Sequence, residues 1–292
     1  MRFRSAKSSI LEASVHSFEF QLLLFPVALA AGFLGSLTGL GGGVILTPVL
    51  TLLMGVDLRY AIGATLVSVI ATSSGAASAY VREGYSNVRI GMFLEVATTA
   101  GAVVGASLAA FIPTSVLAVI FGAVLLHSAW LSSHKPPQDA SADRPNPLAQ
   151  RLHLDGTYPG PHGEIHYRVQ NVGTGFGVML GAGLLSGLLG IGSGALKVIA
   201  MDRAMRIPFK VSTTTSNFMI GVTAAASAGV YLNRGYIDPL LAMPVMLGVL
   251  AGSLAGARVL TRTSSRKLRI VFAVAVALLA IQMIVAGFRG TI

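Results

Sequence analysis

Hydrophobic and polar positions divide the chain into apolar runs separated by short, basic segments. Leu22–Met54 carries no charge. As one straight helix it would reach about 50 Å, beyond a hydrocarbon core of about 30 Å. The cluster Gly39-Leu40-Gly41-Gly42-Gly43 gives this run a natural break, and Pro48, lacking an amide proton, weakens the helical ladder again. The pattern predicts a helix, an unwound glycine turn and a shorter helix, either re-entrant or folded as a tight hairpin. Cleaner spans follow at 61–81, 90–111 and 116–132, and the short connection 112–115 makes the last two antiparallel neighbours. A polar, proline-rich segment, 133–169, interrupts the series, with local structure expected around Leu154–Tyr167. The plan then recurs, with a glycine-broken run at 170–201 and spans near 211–232, 239–260 and 268–288.

Displaced by 151 positions, the chain matches itself without a gap. Gly39–Gly43 falls on Gly190-Ile191-Gly192-Ser193-Gly194, Gly32 on Gly183, Tyr80 on Tyr231, Gly84-Tyr85 on Gly235-Tyr236, and Gly101 on Gly252. The pattern reads as a tandem duplication: a lead-in at 1–21, a first transmembrane repeat at 22–132, a cytoplasmic linker at 133–169 and a second repeat at 170–288. Each repeat holds four to five helical segments. If each glycine-broken run crosses the membrane an even number of times, each repeat crosses an odd number and the halves are inverted. With the linker inside, most of the 21 basic residues face the cytoplasm. Arg2, Arg4 and Lys7 fit that scheme badly, which leaves an extra crossing in the first run open.

Composition agrees with the pattern. The chain is 53% hydrophobic and 11% charged, with mean hydropathy +0.74, whereas soluble domains carry about 25% charged residues. The fold class expected is an all-α polytopic membrane protein of two tandem, inverted-topology repeats, multi-pass in the plasma (inner) membrane. Ala28-Leu29-Ala30 resembles a signal-peptidase site, but the apolar run continues past it, so a retained helix is the preferred reading. The net charge of +10 sits between the spans, which fits membrane topology and not nucleic-acid binding. The chain has no cysteine, so disulfides, thiolate nucleophiles and zinc–thiolate sites are excluded. Phosphate-loop, nucleophile-elbow and His-Glu-x-x-His motifs are absent. The expectation is no enzyme, no cofactor and no metal; His162 and His166 have metal-like spacing only on a helix, and Pro161 and Gly163 argue for a loop.

The chemistry concentrates at the two glycine clusters. A broken helix in lipid exposes amides that need partners, so a break is tolerated where it lines a cavity. Glycine lets the backbone approach a ligand closely; close helix packing is the other reading. Gly41, Gly42, Gly43 and Thr47 in the first half, with Gly192, Ser193 and Gly194 in the second, are candidate substrate-binding residues. Lys197 stands where the first half has Leu46, so the duplication does not require it. An intramembrane ammonium could neutralise an anion or snorkel to the interface. Ser216 and Asn217, in the polar run that opens the next span, line a hydrated path or bond between helices. Arg59 and Lys210 occupy matched positions as vestibule candidates, interface anchoring being the simpler reading. Glu95 is a possible proton carrier, with pairing to Arg89 or Arg82 preferred.

Gly39–Gly43 followed by Val44-Ile45-Leu46-Thr47-Pro48, inside a duplicated set of apolar spans, resembles the TauE/SafE sulfite exporter family, also called the 4-toluene sulfonate uptake permease family. The resemblance covers about 22–288. The second cluster departs from the motif: Ser193 replaces a glycine, Ile199 stands opposite Pro48, and Lys197 is added. The resemblance implies a secondary transporter of small sulfur-containing anions such as sulfite, sulfoacetate or organosulfonates. Its partners would be the anion, a coupling proton or sodium ion, the lipid bilayer and, as one option, further copies of the chain in a homo-oligomer. A passive anion or small-solute channel and a scaffold acting through its cytoplasmic linker are the alternatives.

Overall fold

A computed structural model describes residues 18–36, 43–82, 85–133, 146–160, 163–192, 194–260 and 265–292. The fold is helical, and apolar runs become helices because a backbone in lipid must satisfy its own hydrogen bonds. Helix α1 spans Phe18–Ser36, α2 Gly43–Leu52, α3 Leu58–Arg82, α4 Val88–Leu108 and α5 Thr114–Ser133. A short helix α6 (Pro147–Arg151) and a hairpin of β1 (Gly156–Gly160) and β2 (Gly163–Tyr167) follow. Next come α7 (Val172–Leu189), α8 (Gly194–Ile199), a π-helical turn (Ala200–Ala204), α9 (Phe209–Asn233), α10 (Pro239–Leu260) and α11 (Ser265–Arg289).

Helices α4 and α7 are each long and apolar enough to cross a membrane, and they pack on one another. Helices α3 and α9 lie together at the centre; α1 packs on α10, and α5 on α11. Elements separated by 151 residues start together: Gly43 with Gly194, Leu58 with Phe209, Val88 with Pro239, and Thr114 with Ser265. Their contacts exchange under the same displacement. Gly32 of α1 lies against the backbone of Val249 of α10, and Gly183 of α7 against that of Thr98 of α4. At both crossings a Cβ would collide with main chain, so glycine is what allows the helices to come this close.

Two details sharpen the sequence reading. Helix α2 runs through Pro48 and ends at Leu52. Within 133–169, the described residues 146–160 and 163–169 pack against the bundle: Ala149, Leu154, Tyr167 and Val169 are buried with Ile90 and Leu94 of α4 and Val172 of α7. Asn87, which caps α4, donates from Nδ2 to the Tyr167 hydroxyl at 2.7 Å and to the Leu154 carbonyl at 3.2 Å. His166 is on a strand and His162 lies outside the described residues, so no helix presents the pair on one face.

Candidate functional site

The second glycine cluster is a true helix break. Helix α7 ends at Leu189, and both Gly190 and Gly192 have φ of 68°, a left-handed conformation open to glycine at little steric cost. Helix α8 then starts at Gly194. In the first half the corresponding residues, 37–42 with Gly41 and Gly42 among them, lie outside the described residues, as does Ser193. Gly43, which opens α2, is described. A Cβ there would lie 2.7 Å from Val69 Cγ2, 2.9 Å from Thr65 Cγ2 and 3.8 Å from the Gly190 carbonyl oxygen, so the start of α2 meets the second break. On the other side a Cβ at Gly194 would meet Ile220 at 2.7 Å and Ser216 Oγ at 3.8 Å. Val69 and Ile220, and Thr65 and Ser216, are matched pairs under the 151-residue displacement.

The hydroxyls around the breaks are committed to local partners. Thr47 Oγ1 donates to Thr65 Oγ1 at 2.9 Å, tying α2 to α3. Ser216 Oγ donates to the Gly194 carbonyl at 3.2 Å, tying α9 to the start of α8. Thr214 donates to the Tyr85 carbonyl, and Thr215 accepts from the Asn87 amide at 3.0 Å. These residues of the Ser212–Asn217 run fasten α9 to the loop before α4. Asn217 follows Ser216 on α9 and is half-buried.

Lys197 does not snorkel. It is 0% exposed, one turn along α8 from Gly194. Its Nζ donates to Thr223 Oγ1 at 2.5 Å and stands 3.8 Å from Glu95 Oε2. Thr223 Oγ1 donates in turn to Glu95 Oε1 at 2.5 Å, and Thr99 adds a bond to the same oxygen at 3.2 Å. Glu95 is 7% exposed, and its Oε2 has no hydrogen-bond partner. Among the described side chains Glu95 is therefore held by Lys197 and not by Arg89; the Arg82 side chain lies outside those described. The reason is depth: an unpaired ion in this interior costs several kcal/mol, and the opposite charge within reach is the buried ammonium. Ser216, Ile220 and Thr223 fall on one stripe of α9 at helical spacing, which aligns the glycine break and the ion pair along one side of α8.

Arg59 and Lys210 are elsewhere. Arg59 donates to the carbonyls of Ala110 and Ile112 and lies over the Tyr236 ring, 5.7 Å from its centroid. Lys210 is 3.7 Å from the centroid of Tyr85. The two cation–aromatic pairs exchange under the 151-residue displacement, each joining the halves. Thr223 was missed in the sequence, where nothing separates it from the other hydroxyls. Glu95 did carry a signal, being the one acidic residue inside the apolar spans, as Lys197 is the basic residue embedded in the second broken run.

A helical bundle with membrane-spanning elements and an ion pair sealed in its interior has the build of a membrane transporter. The chain belongs to the family described as Sulfite exporter TauE/SafE, whose sequence model matches residues 24–283. It is similar to YunE of Bacillus subtilis (strain 168), named a probable membrane transporter protein, with 26% identity over 273 residues covering 91% of this chain and 98% of YunE. It is also similar to the probable membrane transporter protein ORF9 of a Sinorhizobium species, 29% identical over 247 residues, covering 83% and 84% of the two chains. A probable membrane transporter protein of Xylella fastidiosa (strain 9a5c) is 27% identical over 259 residues, covering 87% and 90%. No solved structure matches. The chain is an integral membrane transporter of a small molecule and not an enzyme.

Proposed function

We propose that this chain is a secondary transporter of small sulfur-containing anions, such as sulfite, sulfoacetate or organosulfonates, multi-pass in the plasma membrane. The anion binds where the two glycine breaks meet, at Gly43, Gly192 and Gly194 beside Thr47 and Ser216, with Lys197 supplying the positive charge. Gly41, Gly42, Ser193 and Asn217 complete the proposed site, and Arg59 and Lys210 flank its approaches. The two halves are inverted repeats that rock about this point, and a proton or sodium gradient sets the direction. The observation that carries this reading is Lys197: it is wholly buried one turn from a glycine break, where the other half has Leu46. The matched helix starts and exchanged contacts support the repeat architecture, and the family's name supports the substrate class.

The test is sulfite flux in proteoliposomes, with sulfate, sulfoacetate, thiosulfate and taurine as competitors, beside Lys197→Gln. Expected are saturable flux, counterflow, and a loss of at least about tenfold in the variant, the scale of one charge-assisted contact. Flux without saturation or counterflow would support the channel reading. Wild-type affinity in folded Lys197→Gln would remove Lys197 from the site.

A further inference from the structure

We propose that Glu95 is the proton-coupling residue of this transporter: its carboxylate competes with the anion for Lys197, so one proton travels with each anion. The proposal rests on the anion-site reading above and adds to it the coupling ion and the residue that carries it.

The geometry is a relay of three side chains from three helices. Lys197 of α8 reaches Glu95 of α4 through the Thr223 hydroxyl of α9, with both hydrogen bonds at 2.5 Å. A hydroxyl both accepts and donates, so Thr223 can keep its bond to Lys197 while its link to Glu95 is remade. The free end of the carboxylate is Oε2, buried, without a hydrogen-bond partner and 3.8 Å from the ammonium. Protonation there breaks no hydrogen bond and turns an unsatisfied acceptor into a donor.

Charge balance sets the stoichiometry. The interior now holds one positive and one negative group, which cancel. A bound monoanion would leave a net negative charge in a medium where an uncompensated ion costs several kcal/mol. A proton from the aqueous phase on Glu95 Oε2 restores neutrality and releases Lys197 to the anion. On the other side the anion departs, Glu95 returns its proton to water, and the pair re-forms. The fold does not require the pair: the positions matched to Lys197, Thr223 and Glu95 hold Leu46, Thr72 and Met246, with no charge.

Other titratable groups are remote along the helices that pack on α4 and α8. Helix α7 contains none. Helix α9 has Lys210 and Tyr231, 13 residues before Thr223 and eight after it, or about 20 and 12 Å at 1.5 Å per residue. Arg89 lies six residues before Glu95, about 9 Å along α4. The hairpin places Tyr167 at Asn87, eight residues from Glu95, and the π turn places Asp202 and Arg203 beyond Lys197. Among the described residues, Lys197 is the charge that faces Glu95.

The experiment uses the purified full-length protein in proteoliposomes with an entrapped pH dye. The probes are sulfite and methanesulfonate; the latter is a fully ionised monoanion from about pH 5.5 to 8.5, so its pH dependence belongs to the protein. Expected for the wild type is one proton entering per methanesulfonate. The apparent affinity should fall as pH rises, by up to about tenfold per pH unit, the slope of one linked proton. Glu95→Gln should carry the anion without a proton and with affinity independent of pH. Saturable wild-type flux with no proton movement overturns this proposal and leaves the anion site standing, as does proton entry that persists in Glu95→Gln. Absence of flux for both probes overturns the anion-site reading and this proposal with it. Because Glu95→Gln leaves Lys197 unpaired, the wild-type proton count tests the coupling independently of whether that variant folds.

Discussion

Asn87 and Tyr167 show how single residues fasten the polar hairpin to the membrane bundle. Burial pushes the Tyr167 phenol up to about 12; the hydrogen bond from Asn87 works against that shift, and the Asp155 charge adds to it. In the unfolded chain a tyrosine releases its proton near 10, so between about pH 10 and 12 the detached hairpin binds fewer protons than the docked one. Docking is therefore fully stable below pH 10 and weakens as pH rises toward 12, by up to about 3 kcal/mol for two pKa units. The near-ultraviolet tyrosinate titration of wild type minus Tyr167→Phe should give a single component with its midpoint near 12; a midpoint near 10 would mean a phenol in water. Charges were the most legible residues in the sequence. Lys197 stood out because lipid makes an ammonium expensive, and the same rule applied to Glu95. Their pairing was not legible, since 102 residues separate them and only packing of α4, α8 and α9 joins them.

Helices were legible to within a few residues because lipid imposes one rule on every span. The break at Gly190–Gly192 was legible for the same reason: glycines are a poor choice for a buried helix unless the backbone must turn or be approached. The hairpin was harder. Its strands include Pro159 and several glycines, which lower strand propensity, and its order comes from the burial of Leu154, Tyr167 and Val169 against α4 and α7. The helix crossings yield a sharper test. Gly183 meets the Thr98 backbone, whereas nothing lies within 4 Å of a Cβ at Gly181, two residues earlier on the same helix. Gly183→Ala should destabilise the protein by about 1–3 kcal/mol, as overpacking does. Gly181→Ala should be neutral or stabilising by up to about 1 kcal/mol through helix propensity. Thermal unfolding in detergent compares them, and equal effects would mean that α4 and α7 do not approach at Gly183.

Across the whole molecule, contacts recur in exchanged pairs: Gly32 on Val249 with Gly183 on Thr98, and Arg59 over Tyr236 with Lys210 over Tyr85. Exchange of this kind is what a two-fold relation between halves produces, since each surface meets the copy of its own partner. If the axis lies in the membrane plane, the halves have opposite orientations and matched residues face opposite sides; if it lies along the membrane normal, matched residues share a side. Contacts alone are the same in both cases, so sidedness has to be measured. The chain has no cysteine, which makes single introduced cysteines clean reporters. Asp57→Cys marks the start of α3 and Lys210→Cys the start of α9, matched ends that are both exposed. Under inverted repeats, an impermeant maleimide should label one of them in intact cells and the other only after the membrane is opened. Labelling of both from the same side would place the axis along the normal and replace rocking of inverted halves with a parallel arrangement. The buried Glu95–Thr223–Lys197 relay would remain at its present depth in either arrangement, because it is fixed by helix packing and not by orientation.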